Sequence, residues 1–374
     1  MANTFSNFEF NATKIAVIGV GGGGENVVER MIYNEVSGIE YIVVNTDVQQ
    51  LSRSNANIVL QIGKKLCGGK GAGAKPFIGE AAALESKEDL KEVIKGKDLV
   101  IITAGMGGGT GSGAAPVVAK ISKELGILTV ALVTKPFTIE GPIRMENALI
   151  AIDKIRPYCD SIIVVPNDRL NELGPDKPVL QMFQEADNVV RKCIQGLFEI
   201  INLPGDINLD FNDIKTVLEN KGTAHFGIGM AHGDNRAVKA SRLALESKLI
   251  EESISGATHC ILTVSAHRDT FIMSDFYAAI EEVRNVAGED VNIISGLYMN
   301  DDLGEEDLVV TLIAAGYDAK NKNIKKDISL SFREEESNPK EDIFDIKENN
   351  EKNTNKTVGS SKGIPDWLKK KVSK

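Results

Sequence analysis

The sequence predicts an α/β protein with four parts: an N-terminal doubly wound, mostly parallel sheet of Rossmann-like type, a long central helix, a smaller C-terminal α/β domain and a disordered tail. Three observations predict it. Short runs that are apolar throughout alternate with amphipathic segments up to about residue 170, the pattern of parallel strands covered on both faces. A helical pattern of about 25 residues follows, and from about Asp318 the composition turns to Lys, Asn, Glu, Asp and Ser.

The first five strands are read in KIAVIG (14–19), YIVVN (41–45), DLVIIT (98–103), ILTVALV (127–133) and SIIVVP (161–166). None shows the polar alternation of a sheet with one wet face, so each is expected to be buried on both sides. Pro178 opens the long helix, PVLQMFQEADNVVRKCIQGLFEIIN, and Leu203-Pro204-Gly205 stops it, because proline suits a helix start and cannot continue one. At 1.5 Å per residue such a helix spans roughly 37 Å, enough to connect two domains. Beyond it come helix (211–220), strand (224–230), helix (235–248), strand (259–265), helix (274–287) and strands at 291–299 and 307–316. The organisation is therefore a flexible arm (1–13), a ligand-binding domain (14–177), the central helix (178–203), a second domain (204–317), a disordered linker (318–362) and a terminal peptide (363–374). The linker is too polar to offset the entropy of ordering it. In the terminal peptide Ile364, Pro365, Trp367 and Leu368 stand together ahead of a basic end, and Trp367 is the only tryptophan. Apolar residues with no core to serve suit a linear motif that docks in a partner's groove.

Composition excludes several functions. At 374 residues the chain has material for two cores. A net charge of −10 argues against general nucleic-acid binding. No apolar run reaches the roughly 18 to 20 residues of a membrane span, and the opening MANTFSNFEFNATK lacks the regions of a signal peptide. A cytoplasmic protein with no direct membrane insertion is expected. The four cysteines, Cys67, Cys159, Cys193 and Cys260, form no CxxC pair, and the four histidines have no metal-ligand spacing, so no side-chain metal site is expected.

Two glycine loops carry the chemistry. The first strand leads into GVGGGGENVVERM, where Gly19, Gly21 and Gly24 satisfy GxGxxG and Asp47 follows at the distance of a ribose-binding acid. Alone, this admits a dinucleotide-dependent oxidoreductase. The strand at 98–103 then runs into AGMGGGTGSGAAP, a second loop whose glycines let backbone N–H groups approach an anion at a helix start. One pyrophosphate needs one loop, whereas two loops on central strands suit a nucleoside triphosphate. No GxxxxGK[ST] is present, which leaves backbone amides and a metal ion to balance the phosphate charge.

With GGGTGSG behind GVGGGGEN, the chain resembles the tubulin and FtsZ family of GTPases from residue 14 to about 316, and GIPDWLKKK resembles that family's C-terminal partner-binding peptide. The resemblance implies GTP or GDP held with Mg2+ on its phosphates. It assigns Gly22, Gly23, Gly24 and Asn26 to the nucleotide from the first loop, and Gly108, Gly109, Thr110 and Gly111 to the β- and γ-phosphates. It also implies contacts from Asn45, Asp47, Ala72 and Gly73, a ribose contact from Glu140 and Arg144, and a guanine site of Asn167, Phe183 and Asp187. A carboxylate accepts hydrogen bonds only, which favours guanine's N1 and N2 hydrogens over adenine's edge. Two departures stand out: Glu25 occupies a position where the family often has a small residue, and Pro142 and Ile143 replace basic residues between Glu140 and Arg144.

The stretch GDINLDFNDIK places Asp210 and Asp213 three apart behind Pro204, nearly the form of a capping box. By resemblance the same loop carries the acids that, with Asn208, polarise the water attacking the next subunit's GTP. The implied function is a GTPase that polymerises head to tail into filaments of the bacterial division ring at mid-cell, tethered to membrane-anchoring and regulatory division proteins through its terminal peptide. A flexible linker of this length reaches roughly 30 to 45 Å. A filament scaffold that binds GTP without hydrolysing it is the remaining alternative.

Overall fold

β1, Ile15–Val20, is buried at all six positions and passes directly into α1, Gly21–Tyr33, because Gly21 takes a φ of +67° that turns the chain at once. This computed structural model describes residues 13–173, 178–202, 205–246 and 254–316, all within one unit of the chain, Met1–Lys325. The N-terminal half continues with β2 (Glu40–Asn45), α2 (Val48–Leu51), β3 (Ile58–Gln61), α3 (Lys64–Cys67), α4 (Pro76–Glu85) and α5 (Lys87–Ile94). After these come β4 (Leu99–Gly105), α6 (Thr110–Glu124), β5 (Leu128–Lys135), α7 (Pro142–Ile155) and β6 (Ser161–Pro166).

Helix α8, Val179–Asn202, crosses to the C-terminal half, which contains α9 (Phe211–Leu218), β7 (Gly222–His232), α10 (Arg236–Leu245), β8 (His259–Ala266), α11 (Met273–Ala287), β9 (Asn292–Met299) and β10 (Asp307–Ala315). The arm up to residue 12, the linker from 318, Leu203-Pro204 and the terminal peptide with Ile364, Pro365, Trp367 and Leu368 lie outside the described residues.

The strands form one ten-stranded sheet in the order β3-β2-β1-β4-β5-β6-β7-β10-β8-β9. The first six are parallel, and the order reverses between β1 and β4, the switch point of a doubly wound sheet. Strand β6 meets β7 through only two residue pairs, Ser161 with Gly222 and Ile162 with Thr223. Strand β10 runs antiparallel between β7 and β8, and β8 pairs with β9 in parallel.

One face of the N-terminal sheet packs on Val27, Val28 and Met31 of α1, and the opposite face on Ala114, Ala115, Val118 and Ile121 of α6. Helix α8 contributes Met182, Ala186, Val189, Val190, Cys193, Ile194, Leu197 and Ile200 to the first of these cores. That spacing keeps one stripe of the helix apolar. The same core holds Ile163 of β6 and Ile261 and Ile313 of β8 and β10, so α8 spans the junction and ties the halves together. Burying each large aliphatic side chain contributes roughly 1.5 to 3 kcal/mol, which makes the two-pair strand junction a minor part of that attachment. A third core, on the face of the C-terminal strands away from α8, packs Ala237, Ala240 and Ala244 of α10 and Phe276 and Val283 of α11.

Strand β3 was not among the expected strands. Its four residues, IVLQ, are mostly half-buried at the sheet edge, so they lack the continuous apolar run by which the buried strands were read.

Candidate functional site

The two glycine loops lie side by side at the C-terminal ends of β1 and β4, and their backbones touch. A Cβ on Gly21 would fall 2.8 Å from the Gly111 nitrogen, one on Gly23 3.0 Å from the Gly105 nitrogen, and one on Gly111 2.6 Å from the Gly105 oxygen. Side chains would therefore push the loops apart. Gly107 adopts φ +101°, and its N–H donates to Ser112 Oγ at 2.7 Å. Thr110 Oγ1 lies 2.7 Å from Thr46 Oγ1, which joins the second loop to the turn after β2. Helices α1 and α6 both begin here, and the first N–H groups of a helix have no acceptor within it. Two such helix starts facing one crevice make an anion cradle without a lysine.

The crevice is a cleft of about 560 Å³. Of the seventeen residues the resemblance assigns to nucleotide, fourteen line it: Gly22, Gly23, Asn26, Asn45, Asp47, Gly108, Gly109, Thr110, Gly111, Glu140, Arg144, Asn167, Phe183 and Asp187. Gly24 does not. A Cβ there would meet the Thr103 oxygen at 2.3 Å, so this glycine serves the packing of α1 on β4. Ala72 and Gly73 are also absent from the lining, where Gly71 stands instead. Ala72 is buried behind the second loop, since a Cβ on Gly109 would lie 2.9 Å from its methyl group. Gln50, Met106, Thr134 and Pro136 line the cleft as well and were not singled out from the sequence. Thr134 and Pro136 follow the apolar run of β5, where the rule that ligands sit at the carboxyl ends of strands would find them. Gln50 carried no such signal.

The far end of the cleft has different chemistry. Phe183 packs edge-on against Phe137, with centroids 5.1 Å apart and an interplanar angle of 86°, which fixes its ring. Asp187 Oδ2 accepts from Arg30 Nε at 3.2 Å, and burial pushes the carboxyl up to about 6 despite that cation. Asn167 is buried, and its Oδ1 has no hydrogen-bond partner. A buried acceptor without a donor is costly, so a ligand that donates to it recovers the loss. Glu140 Oε1 accepts from the Phe137 N–H at 2.9 Å and Oε2 pairs with Arg144 at 3.0 Å. Pro142 occupies the first turn of α7 and Ile143 is exposed, so neither supplies the charge of the residues they replace. The cleft continues into a groove of about 710 Å³ beside Glu29, Arg30 and Tyr33.

Glu25 faces neither solvent nor the cleft. It is buried, and Oε2 accepts from Asn45 Nδ2 at 3.1 Å. Burial raises its carboxyl pKa, the Asn45 hydrogen bond lowers it, and Glu29 and Asp47 raise it further.

Asp210 and Asp213 lie outside the cleft. Asp213 donates its N–H to Asp210 Oδ1 at 2.9 Å, and Asp210 donates its N–H to Asp213 Oδ2 at 2.9 Å, a reciprocal capping box on α9. The loop before it is pinned to the sheet by Ile207 pairing with Leu297, and Asn208 Oδ1 accepts the Gly205 N–H. Asp210 and Asn208 are exposed, and Asp213 is half-buried.

Backbone donors at one end and an aromatic with acceptors at the other define a binding site for a nucleoside carrying a chain of phosphates. The family model for the tubulin/FtsZ GTPase domain matches residues 14–175, and that for the FtsZ C-terminal domain matches residues 222–318. FtsZ of M. jannaschii, solved as an empty dimer, is 40% identical over 82% of this chain and 89% of its own, with a TM-score of 0.77. CetZ1 of Haloferax volcanii, a GDP-bound monomer, is 22% identical over 81% of this chain and 94% of its own, with a TM-score of 0.71. CetZ2 of Haloferax volcanii, a GTPγS-bound protofilament, is 18% identical over 86% of this chain and 100% of its own, also at 0.71. At those identities the two CetZ proteins show the fold alone. The chain belongs to the FtsZ branch of the tubulin/FtsZ family, the GTP-binding GTPases of cytoskeletal filaments. Nothing in these matches favours an oxidoreductase.

Proposed function

We propose that this GTPase is active only as a head-to-tail polymer, in which Asn208, Asp210 and Asp213 of one subunit complete the GTP site of the next. One observation carries the reading. Each carboxylate lining the cleft is already engaged: Asp47 caps α2 by accepting the Gln49 N–H, Glu140 pairs with Arg144, and Asp187 pairs with Arg30. Among the described residues each lining acid is thus tied into its own subunit's fold, while the exposed Asp210 and the half-buried Asp213 at the start of α9 lie outside the cleft, where a second copy can meet them. A surface that supplies half a site to a second copy in a heterologous contact extends into open filaments.

In this reading residues 14–177 bind GTP, helix 178–203 connects, and 204–317 activate hydrolysis in the neighbour. The nucleotide contacts are those lining the cleft, with Gly24 and Ala72 acting from behind the loops and Gly73 exposed next to Ala72. Asn167, Phe183 and Asp187 take the guanine, and the loop N–H groups take the phosphates. Mg2+ is carried in this reading on the phosphate oxygens, whose charge the loop N–H groups and Arg144, itself paired with Glu140, leave largely unbalanced. Bound there, Mg2+ offsets charge in a loose phosphoryl-transfer transition state. The filaments are those of the division ring, cytoplasmic and at mid-cell, with Ile364, Pro365, Trp367 and Leu368 docking membrane-tethering and regulatory partners.

Phosphate release measured against protein concentration, with light scattering under GTP, GDP and ATP, tests the reading. Turnover per subunit rises cooperatively with concentration, and only GTP supports assembly. Full specific activity in a dilute monomer overturns the shared site, and assembly with ATP alone overturns the guanine assignment.

A further inference from the structure

Glu25 is the fifth residue of α1, one turn in from the phosphate cradle, where a carboxylate would oppose the ligand. Its burial against Asn45 gives it another purpose, which follows from counting donors and acceptors. Asn45 Oδ1 accepts the backbone N–H groups of Thr46 at 2.8 Å and Asp47 at 3.3 Å. A backbone N–H only donates, so the orientation of the Asn45 amide is fixed. Its Nδ2 hydrogens go to Glu25 Oε2 at 3.1 Å and Gln50 Oε1 at 2.7 Å. Every hydrogen-bonding position of Asn45 is thereby used.

The consequence falls on Gln50. Because Asn45 donates to it, Gln50 presents its carbonyl oxygen to Asn45 and turns its NH2 away. Gln50 lines the cleft, and its amide lies across the first loop: a Cβ on Gly22 would be 2.8 Å from Oε1 and 3.0 Å from Nε2. Gly22 thus leaves room for this side chain as well as for a ligand. Among the described residues Arg144 is the one cation lining the cleft, and Glu140 holds it, so a correctly oriented side-chain donor adds to what the backbone supplies.

We propose that Gln50 donates from Nε2 to the nucleotide's phosphate chain, and that Glu25, acting through Asn45, is the positioning residue that keeps the donor end of Gln50 toward the cleft. This rests on the reading of the cleft as the GTP site. Without an acceptor at position 25, the second Asn45 hydrogen is buried without a partner, so the Asn45 side chain shifts to find one and its hold on Gln50 Oε1 loosens, which leaves the Gln50 amide able to turn. A second acceptor of similar shape restores the orientation.

The test titrates a fluorescent GTP analogue into dilute full-length protein, with the melting temperature of each variant as a check on folding. Gln50→Glu replaces the donor by an anion and weakens binding by about tenfold or more, and Glu25→Ala weakens it by about three- to tenfold, as befits hydrogen bonds to a charged ligand. Glu25→Gln recovers the affinity, since the glutamine carbonyl accepts from Asn45 without a charge near the phosphates. The double variant Glu25→Ala/Gln50→Ala binds no more weakly than Gln50→Ala alone, because the two act as one unit. If Glu25→Ala binds as tightly as the unmodified chain, if Glu25→Gln is as weak as Glu25→Ala, or if the two losses add, the relay is wrong. If the unmodified chain fails to bind the analogue, it is the GTP-site reading that falls, and the relay with it.

Discussion

Arg30 Nε of α1 lies 3.2 Å from Asp187 Oδ2 of α8, an ion pair between residues 157 positions apart at the aromatic end of the cleft, beside Phe183. Burial still wins over the cation and raises the Asp187 pKa from 3.8 to about 6. The folded chain therefore binds this proton more tightly than the unfolded chain. Between about pH 4 and 6 the native state carries more of it, so stability falls as pH rises through that window. Asp187→Asn is expected to be more stable than the parent at pH 7.5 by about 1 to 2 kcal/mol, with the advantage gone below about pH 4. It loses guanine preference, since an amide offers a donor where the carboxylate offered only acceptors. Thermal melts across pH and paired GTP and ATP titrations check both halves.

Gly107 and Gly108 are neighbours with opposite constraints. Gly107 has φ +101°, and a Cβ there would lie 2.6 Å from the Arg144 oxygen, whereas nothing stands within 4 Å of a Cβ on Gly108. Gly107→Ala is expected to lower stability by about 1 to 3 kcal/mol. Gly108→Ala melts like the parent, so any loss in GTP affinity reports the nucleotide's own approach to that residue. Equal melting temperatures for the two variants contradict this division.

The parts of this molecule that were legible in the sequence are those whose signal is local. Strands such as VIITA in β4 are buried on both faces and read as unbroken apolar runs, and the glycine loops read from spacing and flanking strand and helix. The capping box at Asp210 and Asp213 was equally local. What was not legible depends on contacts between distant segments: Arg30 with Asp187, Glu25 with Asn45, and the insertion of the last strand, β10, between β7 and β8. Gly24 illustrates the limit within a motif. Its position in GxGxxG was plain, but only the 2.3 Å approach to the Thr103 oxygen separates a packing glycine from a phosphate contact.

Gly229 of β7 is one such packing position in the C-terminal half. A Cβ there would sit 1.9 Å from the Ala240 oxygen, and one on Gly227 would sit 1.9 Å from the Ala244 oxygen, so α10 lies with its backbone against the strand. Backbone cannot swing aside as a side chain does. Gly229→Ala is expected to destabilise the chain by about 1 to 3 kcal/mol or more through overpacking, seen as a melting point several degrees lower. An unchanged melt contradicts the close packing.

Asp210 offers a separation of roles, because one side chain both caps α9 and supplies a carboxylate to the proposed shared site. Asparagine caps a helix about as well as aspartate, whereas alanine costs about 1 kcal/mol at an N-cap. Asp210→Asn should therefore melt like the parent, and Asp210→Ala slightly lower. Both lack the charge that polarises water, so both should bind GTP and assemble yet release phosphate at least about a hundredfold more slowly, the scale of a lost acid–base contribution. Mixing tests where the carboxylate acts. Asp210→Asn added to a variant impaired in GTP binding but not in folding, such as Gly108→Ala, forms some contacts in which an intact Asp210 faces a loaded cleft. Phosphate release above the sum of the two separate proteins is the expected result, and a strictly additive rate would place Asp210 on its own subunit's nucleotide or on none.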